Sequence, residues 1–244
     1  MNCCLKLSPK NKSWYNKNMK RLYFSARARL GLALGAASLL SAGLYLTGAW
    51  GIHQQDYAYM IWNLFLAWVP LVITLLLERT LHRKLWSSWP ALGLTVLWLV
   101  FLPNTFYMVT DYIHVRELSQ SNLLSGLTMF TSFIFLGVIL GFLCTYIVHI
   151  ELKKRIRERS AYLLITLVLF LCSFAMYMGR ELRWNTWDIV TQPFALLFDI
   201  TDRLMHPLQH PAMYTVTLGF FVFLIGLYLV LWNMARAIRQ QPDA

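Results

Sequence analysis

The sequence predicts an all-α, polytopic integral membrane protein: a bundle of six transmembrane helices with both termini in the cytoplasm. Three observations predict this fold. Hydrophobic residues make up 58% of the 244 residues, above the roughly 45–50% of soluble domains. Six runs free of charged residues are each long enough to cross a bilayer, because about 20 helical residues span about 30 Å of hydrocarbon. The 22 Lys and Arg residues lie mainly in alternate loops.

The distribution of the basic residues predicts the orientation. Of the 22 Lys and Arg residues, 18 lie in four segments: 1–29, 78–86, 151–159 and 233–244. Because basic loops are retained in the cytoplasm, we expect these segments to be cytoplasmic and the loops between them to face outwards. The formal net charge of +11 then follows from topology and requires no nucleic-acid partner. The expected partner is the lipid bilayer.

The uncharged runs give the spans in chain order, within a membrane domain of residues 30–235. The six spans cover about residues 30–50, 57–77, 89–110, 127–150, 160–179 and 212–232. We expect residues 1–29 to form a disordered basic cytoplasmic tail and residues 236–244 a short cytoplasmic tail. Both Met1 and Met19 are possible starts of the chain.

Two spans contain glycines at G-x-x-x-G spacing: Gly31 and Gly35 in span one, and Gly137 and Gly141 in span four. Small residues four apart allow helix backbones to approach closely in lipid. We expect this spacing to serve packing within the bundle, with dimerisation as the alternative. The oligomeric state is left open.

The longest outer loop is predicted to contain a further helix. Residues 187–204 mix large apolar residues with three aspartates and an arginine. This composition is typical of an amphipathic helix that lies on the outer leaflet, here with Pro193 in or near its first turn.

Polar side chains gather at the outer end of span three, at the spacing i, i+3, i+7 and i+10: Asn104, Tyr107, Asp111 and His114. If an α-helix continues past Pro103, these four side chains fall within an arc of about 80°. Asp111 and His114 could share a metal ion or form an acid–base pair, or simply cap the helix at the water interface. Asn63 lies about two turns inside span two, where its amide needs a partner in the bundle.

A second polar group follows span five directly. Arg180 and Arg183 would share a face if the helix extends outwards, and two guanidinium groups suit a carboxylate or phosphate through forked hydrogen bonds. The alternative is an internal ion pair of Asp111 with Arg180 or Arg183, which would lock span three to span five. Asn185 and Asp188 complete the candidate polar site.

These motifs together resemble a bacterial family of multi-span membrane proteins, the domain of unknown function 1361. The resemblance rests on residues 101–104, 107–111 and His114, on residues 179–180, 182–185 and 187–188, and on residues 63–64 and 67–70. It covers about residues 30–235 and implies a location in the bacterial cytoplasmic membrane. It implies no established activity, substrate or catalytic residue.

Three functions are compatible with the sequence. The favoured one is an outward-facing polar pocket between spans two, three and five that binds or moves an anionic small molecule or lipid head group. The second is an outward-facing membrane enzyme, a metal-assisted hydrolase or a transferase acting on a lipid-linked substrate, in which Asp111 and His114 hold a metal or water. The third is a structural partner subunit of a membrane complex. Because the common catalytic signatures are missing, we assign no catalytic residue, cofactor or metal.

Overall fold

The computed structural model of the chain describes residues 9–48, 57–118, 123–206 and 208–240. Every regular element in these ranges is helical. In chain order the helices are α1 (Pro9–Gly48), α2 (Tyr59–Leu81), α3 (Trp89–Phe101), α4 (Pro103–Tyr107), a 3-10 helix (Met108–Glu117), α5 (Leu123–Lys153), α6 (Glu158–Glu181), α7 (Asp188–Thr191), α8 (Pro193–Met205) and α9 (Pro211–Gln240).

Six helical segments are long and apolar enough to cross a membrane. They cover Arg27–Leu46, Tyr59–Leu81, Trp89–Arg116, Leu123–Lys153, Glu158–Glu181 and Pro211–Ile238. The prediction of an all-helical fold with six spans is therefore confirmed, and the chain is a multi-pass membrane protein. The loops between these segments are shorter than the sequence predicts, because the helices extend by up to a turn or two beyond the uncharged runs.

The first helix begins earlier than the sequence led us to expect. Helix α1 starts at Pro9, about twenty residues before the predicted first span. No glycine or proline separates Pro9 from Gly31, so the helix can continue outwards from the span through Lys and Arg residues with good helix propensity. Residues 1–8 (with the possible start at Met1), 49–50 and 241–244 of the predicted tails and first span lie outside the described residues.

Helix α5 forms the centre of the bundle and contacts α1, α2, α4, the 3-10 helix and α6. Its glycines allow α4 to approach closely. A Cβ atom at Gly137 would lie 2.7 Å from the carbonyl oxygen of Thr105, and one at Gly141 would lie 2.7 Å from the ring of Phe106. The prediction that this G-x-x-x-G pair packs within the bundle is confirmed. Around Gly31 and Gly35, by contrast, no heavy atom of the described residues would lie within 4 Å of an added Cβ.

The third span changes its winding twice. Helix α3 ends at Phe101, α4 starts at Pro103, and from Met108 the chain continues as a 3-10 helix. Two side chains donate hydrogen bonds to backbone carbonyls beside the proline. The Asn104 amide donates to the carbonyl of Phe101 at 3.2 Å, and the Thr105 hydroxyl donates to that of Leu102 at 2.7 Å. The chain thus stays helical past the proline, and beyond Tyr107 it winds as a 3-10 helix instead of an α-helix.

The loops separate into two ends of the bundle. At one end Arg27 of α1 donates to both carboxylate oxygens of Glu78 at 2.7 and 2.8 Å, and Arg155 donates to the carbonyl of Leu81 at 3.0 Å. These contacts bring residues 78–86 and 151–159 together, and we call this the basic end. The opposite end contains the 3-10 helix and residues 179–188, and we call it the distal end.

The amphipathic helix of the long loop is present as α8, and it begins at Pro193. Leu196 and Ile200 pack against a small cluster from α6 and α9. Trp184 donates from its indole nitrogen to Asp199 at 2.8 Å, which ties α8 to the end of α6. Residues 188–191 form a separate short helix, α7, because the chain leaves helical geometry at Gln192, directly before the proline.

Candidate functional site

The candidate site is built around the guanidinium of Arg180, in the last turn of α6. Its Nη1 lies 3.7 Å from Oδ1 of Asp111, and its Nη2 lies 3.2 Å from Nε2 of His114. Since a guanidinium can only donate, Nε2 of His114 is the acceptor of this hydrogen bond. Arg180 therefore joins span five to two residues of span three.

The 3-10 winding explains how one arginine reaches both residues. In an α-helix two residues three apart are offset by about 60° around the axis, whereas in a 3-10 helix they eclipse each other. Asp111 and His114 both lie in the 3-10 helix, so they stand one above the other on the same face. The predicted stripe of four residues is thereby divided, because Asn104 and Tyr107 belong to α4.

The carboxylate of Asp111 is buried and poorly satisfied. Its side chain is 1% exposed, against 22% for Arg180. Oδ2 receives a long hydrogen bond of 3.5 Å from the Asn63 amide, and Oδ1 has no hydrogen-bond partner in the described part of the chain. Buried polar atoms are nearly always hydrogen-bonded, so the guanidinium of Arg180 is the main charge compensation that the described residues offer this carboxylate.

Asn104 and Tyr107 make a second set of contacts between span three and the end of span five. The Asn104 side chain and the Thr186 hydroxyl exchange hydrogen bonds at 3.1 and 3.3 Å. The Tyr107 hydroxyl donates to the carbonyl of Gly179 at 3.5 Å. A Cβ at Gly179 would lie 2.9 Å from the Tyr107 ring, so glycine permits this close approach. These two residues hold the helices together beside the charged group.

Residues 62–227 match the family described as Protein of unknown function (DUF1361). This range is more than half of the chain. The chain belongs to the DUF1361 family. The predicted resemblance is confirmed, and all nine candidate site residues lie inside the matched range. No curated protein and no solved structure matches the chain.

Arg183 does not join Arg180 in this DUF1361 protein. Helix α6 ends at Glu181, and Arg183 adopts a left-handed conformation with φ of 58°, which turns the chain so that the Trp184 amide donates to the carbonyl of Met178 at 3.3 Å. The helix therefore does not extend far enough outwards for the two arginines to share one of its faces. The Arg183 side chain is exposed and makes no hydrogen bond or ion pair with residues in the described ranges.

Asn185 and Asp188 form a local turn of the DUF1361 chain. The backbone amide of Asn185 donates to Oδ2 of Asp188 at 2.7 Å, and the Thr191 hydroxyl donates to Oδ1 at 3.3 Å. Asp188 is the first residue of α7, where a carboxylate is favoured by the helix dipole. Both residues therefore stabilise the turn that precedes α7.

Sequence reasoning missed two aromatic neighbours of His114 and the partner of Asn104. The rings of Tyr57 and Tyr59 lie 6.4 and 5.7 Å from that of His114. Both tyrosines lie within two helical turns of Asn63 at the start of span two. Their position next to a candidate site residue is the signal that could have identified them. No sequence motif marks Thr186, because its contact with Asn104 depends on the turn of the chain at Arg183.

The two candidate metal ligands do not form a metal centre. Among the residues that the structure describes, no group of three or more His, Cys, Asp and Glu side chains is placed to hold a metal ion. Asp111 and His114 both face the guanidinium of Arg180, whose positive charge opposes a second cation at the same atoms. This donor set does not fit a metal ion.

Proposed function

We propose that this DUF1361 protein lies in the bacterial cytoplasmic membrane with both termini in the cytoplasm. The support is the separation of charge along the bundle: the loops rich in Lys and Arg meet at the basic end, whereas Asp111, Arg180 and Asp188 lie at the distal end. Because basic loops stay on the cytoplasmic side, the distal end faces outwards. The membrane domain then extends over about residues 30–235.

Helix α8 lies on the outer leaflet in this orientation. Its Leu196 and Ile200 face the bundle, whereas Phe194, Leu197 and Phe198 are 86%, 60% and 71% exposed. An apolar stripe that the bundle leaves uncovered suits the boundary between head groups and acyl chains. The acidic residues of α8 are then available to water at the same level as Arg180.

We further propose that Arg180 binds the anionic group of a small molecule or lipid head group. The observation that carries this proposal is the position of its guanidinium: a buried carboxylate lies on one side, an imidazole accepts one hydrogen bond, and the group remains partly exposed. A guanidinium has several N–H donors arranged to fit a carboxylate or phosphate. Asp111 and His114 therefore hold the arginine in place, and its remaining donors are free for a ligand.

A structural role is the second candidate, and it too has specific support. The ion pair of Asp111 with Arg180 and the contacts of Asn104 and Tyr107 all join span three to the end of span five. Under this alternative Arg180 only locks the bundle, and the protein acts as a subunit of a membrane complex. The two candidates differ in whether an anion stabilises the protein through Arg180.

Anions should stabilise the purified full chain in an uncharged detergent. We expect glycerol 3-phosphate, at about ten times its dissociation constant and against sodium chloride of equal ionic strength, to raise the unfolding temperature by about 3 °C. Arg180→Lys keeps the charge and loses the forked geometry, so it should lose most of this increase. Thermal unfolding followed by tryptophan fluorescence measures the effect.

Arg116→Gln provides the matched control, because Arg116 is an exposed arginine of the 3-10 helix. It should retain the increase in unfolding temperature. If wild-type protein shows no increase, or if Arg180→Lys retains it in full, anion binding by Arg180 is wrong and the structural role stands.

A further inference from the structure

The basic end contains a cavity of about 230 Å³ between the end of α2 and the start of α3. It is lined by Arg79, Thr80, Arg83, Lys84 and Pro90. Pockets for small organic ligands measure about 300–1,000 Å³, so this cavity is suited to a smaller group. With three cations among five lining residues, the expected occupant is an anion of the size of a phosphate.

The cations of this cavity differ from several of their neighbours at the basic end. Three of those neighbours are paired with acids: Arg27 with Glu78 at 2.7 Å, Lys153 with Glu158 at 2.6 Å, and Arg155 with Glu151 at 2.7 Å. The side chains of Arg79, Arg83 and Lys84 make no ion pair or hydrogen bond with any residue in the described ranges. Three neighbouring unpaired cations repel one another, and a bound anion would offset that repulsion.

The start of α3 adds a second favourable element. Pro90, on the cavity wall, lies in the first turn of α3, and Ser88 occupies the N-cap position without a capping hydrogen bond. The Ser88 hydroxyl is buried and has no hydrogen-bond partner in the described part of the chain. An anion here would meet the positive end of α3, next to the uncapped Ser88.

The surface beside the cavity is apolar. Leu85 is 78% exposed and Trp89 is 88% exposed, and both lie in the segment that joins Lys84 to Pro90. Exposed tryptophan at the end of a membrane span is typical of the interface between head groups and hydrocarbon. A ligand that combines a phosphate with an apolar part matches both the cavity and its rim.

We propose that this cavity binds the phosphate group of an anionic phospholipid. Arg79, Arg83 and Lys84 contact the phosphate, while Leu85 and Trp89 contact the glycerol and acyl region. The site lies at the opposite end from Arg180 and is independent of the function proposed for it. Basic pockets at the ends of spans recognise lipid head groups by this chemistry.

The test is the binding of phosphatidylglycerol to the purified full chain, measured by native mass spectrometry in an uncharged detergent. Arg79→Gln/Arg83→Gln should weaken the apparent affinity about tenfold. Arg157→Gln/Arg159→Gln is the matched control, since it removes the same charge from exposed positions at the same end outside the cavity. The control should retain affinity within about twofold. Lys84→Gln, a single exposed change, should weaken binding by a smaller factor.

Three outcomes would overturn the proposal. Equal weakening by both double variants would show attraction to the whole charged surface rather than to a cavity. Equal binding of phosphatidylcholine would show that the anionic head group is not recognised. Competition by millimolar inorganic phosphate that removes the bound lipid completely would assign the cavity to free phosphate instead.

Discussion

Replacing Arg180 with alanine should destabilise the folded protein by about 3–5 kcal/mol, because it removes the cation from beside a buried carboxylate. Asp111 is 1% exposed, and without Arg180 it would keep only the long hydrogen bond from Asn63. The loss should appear as a lower free energy of unfolding in mild detergent and as lower abundance of folded protein in the membrane.

Two further variants distinguish the effect of losing the ion pair from the effect of removing any arginine. Adding Asp111→Asn to Arg180→Ala removes the unpaired charge, so the double variant should recover at least half of the lost stability. Arg183→Ala removes an exposed arginine three residues away and should change stability by less than about 0.5 kcal/mol. If Arg180→Ala is as stable as Arg183→Ala, the ion pair does not support the fold.

Gly137→Ala should destabilise the bundle by about 1–3 kcal/mol, although alanine is the better helix former. Its Cβ would lie 2.7 Å from the carbonyl oxygen of Thr105 and 2.7 Å from the sulfur of Met108. The methionine can move, but a backbone carbonyl moves only with α4 itself. Thermal unfolding of the purified protein measures the loss.

Gly219→Ala is the matched control for this change. A Cβ at Gly219 would have no heavy atom of the described residues within 4 Å, so this variant should be as stable as wild type or slightly more so. Because Met108 begins the 3-10 helix, displacement at Gly137 should also disturb Asp111. Equal stability of the two alanine variants would contradict the close packing of α4 on α5.

The spans could be predicted because each depends on a local property. A helix crossing the bilayer needs a run of about 20 uncharged residues, and such runs can be counted in the sequence. The pairing of Gly137 with a close neighbour was predictable for the same reason, since the spacing of small residues is itself the signal. The extent of α1 was not, because charge alone does not end a helix.

The geometry of the site depends on tertiary packing and could not be predicted to the same depth. The change from an α-helix to a 3-10 helix after Tyr107 has no signal in the local sequence, and in the bundle this segment packs against α5. The sequence left Arg180 and Arg183 as equal partners for Asp111. Only the end of α6 at Glu181 and the left-handed residue that follows separate them, and such a conformation is uncommon for arginine.

The sidedness of Arg180 can be measured by cysteine labelling in intact bacterial cells. The native cysteines at positions 3, 4, 144 and 172 are first replaced, and a single cysteine is then introduced as Glu181→Cys or Arg157→Cys, both at exposed positions. A membrane-impermeant maleimide should label position 181 in intact cells and position 157 only after permeabilisation. Labelling of position 157, but not of 181, in intact cells would place Arg180 on the cytoplasmic side and contradict an outward-facing site.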